Sequence, residues 1–141
     1  MRRGCGASGN VPTARTKLGS WGEQLAGRFL QDIGYQIVTT NYRCSYGEVD
    51  IVALDGEELV FIEVRTRRAG NFGTPEESLS KSKLRRLLST SQHYLQQIGK
   101  EDASWRVDLV AVSMDKGRGN KGRDRPAPRI NHVRNIVEEQ A

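Results

Sequence analysis

Two runs of β-forming residues, Glu48–Leu54 and Glu57–Thr66, meet at Asp55-Gly56, and no other feature of the chain restricts its fold as tightly. Asp-Gly between two such runs signals a two-residue hairpin, because the turns that match strand twist need positive φ. With Asp55 and Gly56 as the turn, Leu54 faces Glu57, and antiparallel pairing sets Asp50 opposite Phe61 and Glu48 opposite Glu63. Side chains alternate, so Glu48, Asp50, Glu63 and Arg65 share one face with Val52, Leu59 and Phe61, while Val49, Ile51, Val60, Ile62 and Val64 share the other. Apolar residues on both faces mark interior strands. Asp50 and Glu63 then become diagonal neighbours about 7–8 Å apart. A three-residue Asp55-Gly56-Glu57 loop with a bulge would reverse this parity and separate them.

The remaining elements follow from periodicity. Leu18, Trp21, Leu25, Phe29 and Ile33 recur at helical spacing and predict a helix over Lys17–Ile33 that stops at Gly34. Tyr35–Arg43 reads as a further strand before the hairpin. Thr74-Pro75-Glu76-Glu77 has the composition of a capping box and predicts a helix from Pro75 to about Gly99, broken near Ser80, with Leu84, Leu87, Leu88, Ser91, Tyr94, Leu95 and Ile98 on one face. Trp105–Met114 is a strand by composition, and Ile130–Glu139 a short strand turning into a helix. The domain organisation predicted is a basic disordered tail at 1–16, a core at 17–114, a flexible basic loop at 115–129 and a final element at 130–141 of the same domain. The order αβββαβ describes an α/β fold with one mixed sheet flanked by helices.

Composition narrows the function classes. A chain of 141 residues fits one domain, and its 22 Lys and Arg against 17 Asp and Glu give a charge of +5, which only weakly favours a polyanionic partner. Cys5 and Cys44 lack metal-ligand spacing and read as free thiols, which excludes a zinc site and suits a reducing compartment. No apolar run approaches the roughly 20 residues of a membrane span, and the basic start has no signal-peptide core, so a cytoplasmic protein is expected. His93 and His132 read as packing or surface residues, and Trp21 and Trp105 as core residues instead of stacking platforms.

Carboxylates embedded in apolar strands need partners. Two of them a few ångströms apart raise each other's pKa, and oxygen ligands at that spacing suit a hard cation, Mg²⁺ or Mn²⁺. Glu23 shares a helical stripe with Ala26 and Leu30, so it faces the sheet as a third acid. Periodicity leaves a second reading open, in which Glu23 lies at the solvent border and Glu48 and Glu63 form structural ion pairs with Arg65 or Arg106.

Gly22-Glu23, Asn41-Tyr42-Arg43, Gly47-Glu48-Val49-Asp50, Phe61-Ile62-Glu63-Val64-Arg65-Thr66-Arg67, Phe72-Gly73-Thr74-Pro75, Lys83 and Arg106-Val107-Asp108 together resemble the YraN-like family of bacterial proteins, from about Gly19 to Val112. That family is similar to the PD-(D/E)xK restriction-endonuclease-like superfamily, near the Holliday-junction resolvases. The resemblance implies a restriction-endonuclease-like fold and metal-dependent cleavage of nucleic-acid phosphodiesters, DNA foremost, including branched or processed DNA. It makes Glu23 the first-helix acid, Asp50 the Asp of the motif and Glu63 the acid of its ExK. Asp50, Glu63 and the Val64 carbonyl would hold Mg²⁺ or Mn²⁺, with Glu23 at a second ion or a water. Arg65 occupies the lysine position and departs from the pattern, since a guanidinium steadies charge but cannot act as a base. Lys83 or Lys81 is a candidate substitute amine. Arg67, Arg68, Lys81, Lys83, Arg85, Arg86 and the Lys116–Arg129 loop are candidate backbone contacts. Because a four-way junction is two-fold symmetric, a resolvase-like enzyme would be a homodimer. Two alternatives to an enzyme are a catalytically impaired nucleic-acid-binding module and a structural protein with buried ion pairs.

Overall fold

A computed structural model describes residues 14–67, 79–115 and 127–137. In them the chain runs α1 (Ala14–Asp32), β1 (Gln36–Cys44), β2 (Gly47–Asp55), β3 (Glu58–Arg67), α2 (Lys81–Gln97), β4 (Trp105–Asp115) and β5 (Ala127–Val133). The strands form one sheet in the order β1-β2-β3-β4-β5, antiparallel throughout except for the parallel pair β3–β4. A parallel pair needs a long crossover, and α2 lies within it. One core, with Ile51, Ala53, Val60, Ile62, Val110 and Val112, packs against Ala26 and Leu30 of α1. The other, with Val52, Leu59, Phe61, Val107 and Leu109, packs against Leu87, Tyr94 and Leu95 of α2. This mixed α/β single domain is consistent with the restriction-endonuclease-like fold.

Both helices stop where glycine allows it. Gly34 at φ 100 and Gly99 at φ 70 each follow a helix end. In each case the next residue bonds back across the last turn, Tyr35 N–H to the Leu30 carbonyl at 2.9 Å and Lys100 N–H to that of Leu95 at 2.9 Å. These are Schellman closures, satisfying carbonyls that a helix end leaves bare. At the other end of α2, the Ser80 hydroxyl accepts the Lys83 N–H at 3.0 Å, so the expected break near Ser80 is an N-cap. The capping box at Thr74–Glu77 lies outside the described residues, as do residues 1–13 of the expected tail and 116–126 of the expected loop.

Four details differ from the sequence expectation. α1 starts at Ala14 instead of Lys17, and β5 at Ala127 instead of Ile130. The hairpin pairs Asp55 with Glu58 and Leu54 with Leu59. Its turn residues are therefore Gly56 and Glu57, because the positive φ, 64°, falls on the first of them, where glycine carries no strain. The resulting slip is by two residues, which keeps every side chain on its expected face. The exceptions are Val49, which packs with Val52 under α2 instead of with Ile51, and Asp50, which lines the α1-side surface beside Glu23 and Ile51 instead of facing α2 with Val52. Across from this point, between the pairs Thr40↔Ile51 and Tyr42↔Val49, Asn41 takes φ 55, and the alternation breaks beside Asp50. Among the described residues, no helix is long and apolar enough to cross a membrane.

Candidate functional site

The regular β2–β3 ladder ends at Ile51↔Ile62, and Asp50 and Glu63 are the next residues of the two strands. There the Val64 N–H donates to Asp50 Oδ2 at 2.7 Å, a side chain replacing the backbone acceptor that the ladder would have offered. Asp50 also accepts a hydrogen bond from the Glu63 carboxyl. Glu63 is only 4% exposed and points toward α2, where Lys83 Nζ lies 3.5 Å from its Oε2; Arg65 Nε lies 3.5 Å from the same oxygen. From the opposite layer, Glu23 bonds to Asp50 and to the Asn41 side chain. Its approach depends on Gly22, where an added Cβ would stand 2.1 Å from Thr66 Oγ1 on β3.

Three acids thus meet with incomplete compensation. Burial, and then the charge of Asp50, push Glu63 up to about 7, against the pull of Lys83 and Arg65. Burial followed by the charges of Asp50 and Glu48 pushes Glu23 up to about 7. Asp50 is also raised by burial, although the Val64 N–H and the Glu63 hydrogen bond act to lower it. Glu48 itself is diverted to Arg43, with Oε2 3.1 Å from Nε. A cavity of about 490 Å³ lined by Glu23, Asn41 and Asp50 opens on the α1 side. A second, of about 480 Å³, is lined by Arg43, Glu48, Lys83 and Arg86 on the α2 side.

No set of three or more His, Cys, Asp or Glu among the described residues forms a ready metal cage. A hard dication does not require one, since Mg²⁺ is commonly held by one or two carboxylates with water and phosphate completing its shell. The donor chemistry fits: hard oxygens, a pair in contact, and negative charge that two cations at 3.5 Å leave partly unmatched.

A family model described as "Uncharacterised protein family UPF0102" matches residues 22–112. The chain belongs to this family. A UPF0102 protein of Moorella thermoacetica is 49% identical over 102 residues, covering 72% of this chain and 85% of the relative. One of Dehalococcoides mccartyi is 38% identical over 126 residues, covering 89% and 97%, and one of Rhodococcus jostii 41% identical over 117 residues, covering 83% and 92%. The UPF0102 match is the YraN-like resemblance of the sequence, and its span includes Glu23, Asp50, Glu63, Arg65 and Lys83.

Of the residues expected at the site, Glu23, Asp50, Glu63, Arg65 and Lys83 come together. Lys81, Arg85 and Arg86 lie exposed along the first half of α2, and Arg67 ends β3; Arg68 lies outside the described residues. Sequence reasoning missed Asn41, whose left-handed backbone was unsignalled except by its residue type. It also missed a second buried polar group. On the α1 face Asp108, 0% exposed, receives His132 Nε2 at 2.8 Å, Arg106 Nε at 3.0 Å, the Asn135 N–H at 3.0 Å and the Tyr35 hydroxyl at 3.3 Å. Arg106 reaches on to Asp55 and Glu58. His132, expected as a packing or surface residue, is instead a hydrogen-bond partner of a buried acid.

Proposed function

We propose that this UPF0102 protein is a divalent-metal-dependent endonuclease of the cytoplasm acting on DNA phosphodiesters, with Mg²⁺ or Mn²⁺ held by Asp50, Glu63 and the Val64 carbonyl. The observation that carries the reading is the contact between Asp50 and Glu63, from neighbouring strands, with a lysine amine 3.5 Å from Glu63. Such a cation, when bound, supplies charge that polarises the scissile phosphate and acidifies water. The chain's own residues do the rest. Glu23 orients water through the carboxyl that now bonds to Asp50. Arg65 offsets charge building on the phosphorane. Lys83 brings, from α2, the amine that the ExK pattern carries on β3 and that Arg65 has displaced. An amine can pass a proton where a guanidinium cannot. Arg67, Lys81, Arg85 and Arg86 hold the DNA backbone without reading its sequence.

Cleavage assays on linear duplex, single-stranded, flapped and four-way-junction DNA with Mg²⁺ and Mn²⁺ test the reading. Cutting is expected from the wild type and none from Asp50→Ala or Glu63→Ala. Lys83→Met should be slower by about 100-fold, the scale of lost proton-transfer help, and adding Arg65→Lys should restore it. Arg65 favours a second reading, a DNA-binding module with an impaired site. It would be established by wild-type protein that binds DNA and cuts none of these substrates, while Arg65→Lys alone cuts. Neither binding nor a metal-dependent rise in Tm would leave the structural ion-pair protein. A homodimer is expected only if the four-way junction is the substrate cut best.

A further inference from the structure

Tyr46, in the turn between β1 and β2, is 54% exposed, yet its ring does not hang free. It leans edgewise on His93 of α2, ring centroids 6.0 Å apart, and His93 Nδ1 is in turn hydrogen-bonded to the Tyr42 hydroxyl at 2.5 Å. The braced ring lines a cavity of about 170 Å³ with Ser82, Arg85, Arg86 and Ser89. Arg86 also lines the larger cavity that holds Lys83, the residue in contact with Glu63. No described acidic residue pairs with the guanidinium of Arg85 or Arg86. Tyr46 and Asp50 are on one strand and its turn, about 13 Å apart at the rise of extended chain.

An exposed aromatic ring resting on His93, two guanidinium groups with no acidic partner among the described residues and a basic path to the acidic pair are the parts of a single-strand site, in which bases stack on a ring and cations follow the backbone. A base inside a duplex already stacks on its neighbours and offers no free face. Resting on the nuclease reading above, we propose that Tyr46, with Arg85 and Arg86, stacks an unpaired base of the DNA strand whose backbone passes Lys83, so that single-stranded or frayed DNA is the preferred substrate class.

The test is fluorescence anisotropy with the full chain in metal-free buffer, using dye-labelled oligothymidine and a hairpin duplex of equal length. Tyr46→Ala should weaken oligothymidine binding about tenfold, the scale of one lost stacking contact, change duplex binding by less than about twofold, and leave Tm unchanged; Tyr46→Phe should bind both as the wild type does. Equal losses on the two DNAs, or no loss on oligothymidine, overturn the stacking subsite alone. Wild-type protein that binds neither DNA overturns the nucleic-acid reading with it.

Discussion

Glu63 and Asp108 are both buried carboxyls on adjacent parallel strands, yet the protein treats them in opposite ways. Asp108 faces α1 and gathers four donors, two of them from cationic or potentially cationic side chains. Burial alone would raise it, but the hydrogen bonds from His132, Asn135 and Arg106 overcome that and hold it below the ordinary carboxylate range. Arg106 is affected in the matching sense: burial would lower it, but bonds to Asp108 and Glu58 leave it raised. Glu63 faces α2, meets another acid, and has its two cations only at 3.5 Å. The lesson is that burial does not decide a carboxyl's charge; the completeness of its partners does. One group is finished as structure. The other stays raised by burial and by its acidic neighbour, against two cations at 3.5 Å.

The sharpest way to break this comparison is to remove the finished group. Asp108→Asn leaves Arg106 and His132 without their buried anion, and should cost about 3–5 kcal/mol, read as a large fall in the urea midpoint. A loss below about 1 kcal/mol would mean that the network is ornamental and the contrast false. Next in size is the close approach that brings Glu23 to the acidic pair. Gly22→Ala places a methyl 2.1 Å from Thr66 Oγ1 and 3.2 Å from its Cβ and Cγ2, so α1 must lift or Thr66 must move. Overpacking of this kind costs about 1–3 kcal/mol, and the metal-dependent gain in Tm should shrink with it. Full retention of both would show that Glu23 is not held by this contact.

The two regions also differ in how far the sequence revealed them. The acidic pair was legible because Asp50 and Glu63 belong to one local hairpin, where turn length and a side-chain period of two constrain everything. Even the turn error was harmless, since a two-residue slip preserves faces. It left the acids side by side just past the last ladder pair, in hydrogen-bond contact. The helix ends were legible for the same local reason, through Gly34 and Gly99. Asp108 was illegible because its partners arrive from Tyr35, 73 positions away, and His132, 24 away. That meeting is set by the β3–β4 and β4–β5 registers, which no local pattern encodes. By sequence Lys83 and Lys81 are equal candidates for the substitute amine; in the fold Lys83 lies 3.5 Å from Glu63, while Lys81 is exposed one helical position after the Ser80 cap.

The smallest effect is the most discriminating, because its sign differs between the two acids. Glu63, at about 7 in the folded chain against 4.5 ordinarily, keeps a proton that the unfolded chain loses. Its contribution to stability is therefore complete below pH 4.5 and is lost as pH rises through 7; Glu23 adds in the same direction. Asp108 works the other way, its contribution present above 3.8 and lost only as pH falls through its lowered folded value. Metal-free protein should accordingly be less stable at pH 8 than at pH 5.5. Glu63→Gln should flatten that slope and stabilise the chain at pH 8 by about 1–2 kcal/mol. That is less than the shift alone implies at about 1.4 kcal/mol per pKa unit, because an amide gives Asp50 a weaker hydrogen bond than the protonated carboxyl does. Mn²⁺ should reverse the slope in the wild type and not in the variant, since a cation binds the ionised carboxyls and displaces their protons. A flat wild-type profile from pH 5.5 to 8, with or without Mn²⁺, would show Glu63 to be as fully partnered as Asp108, and nothing would then be left for a metal to complete.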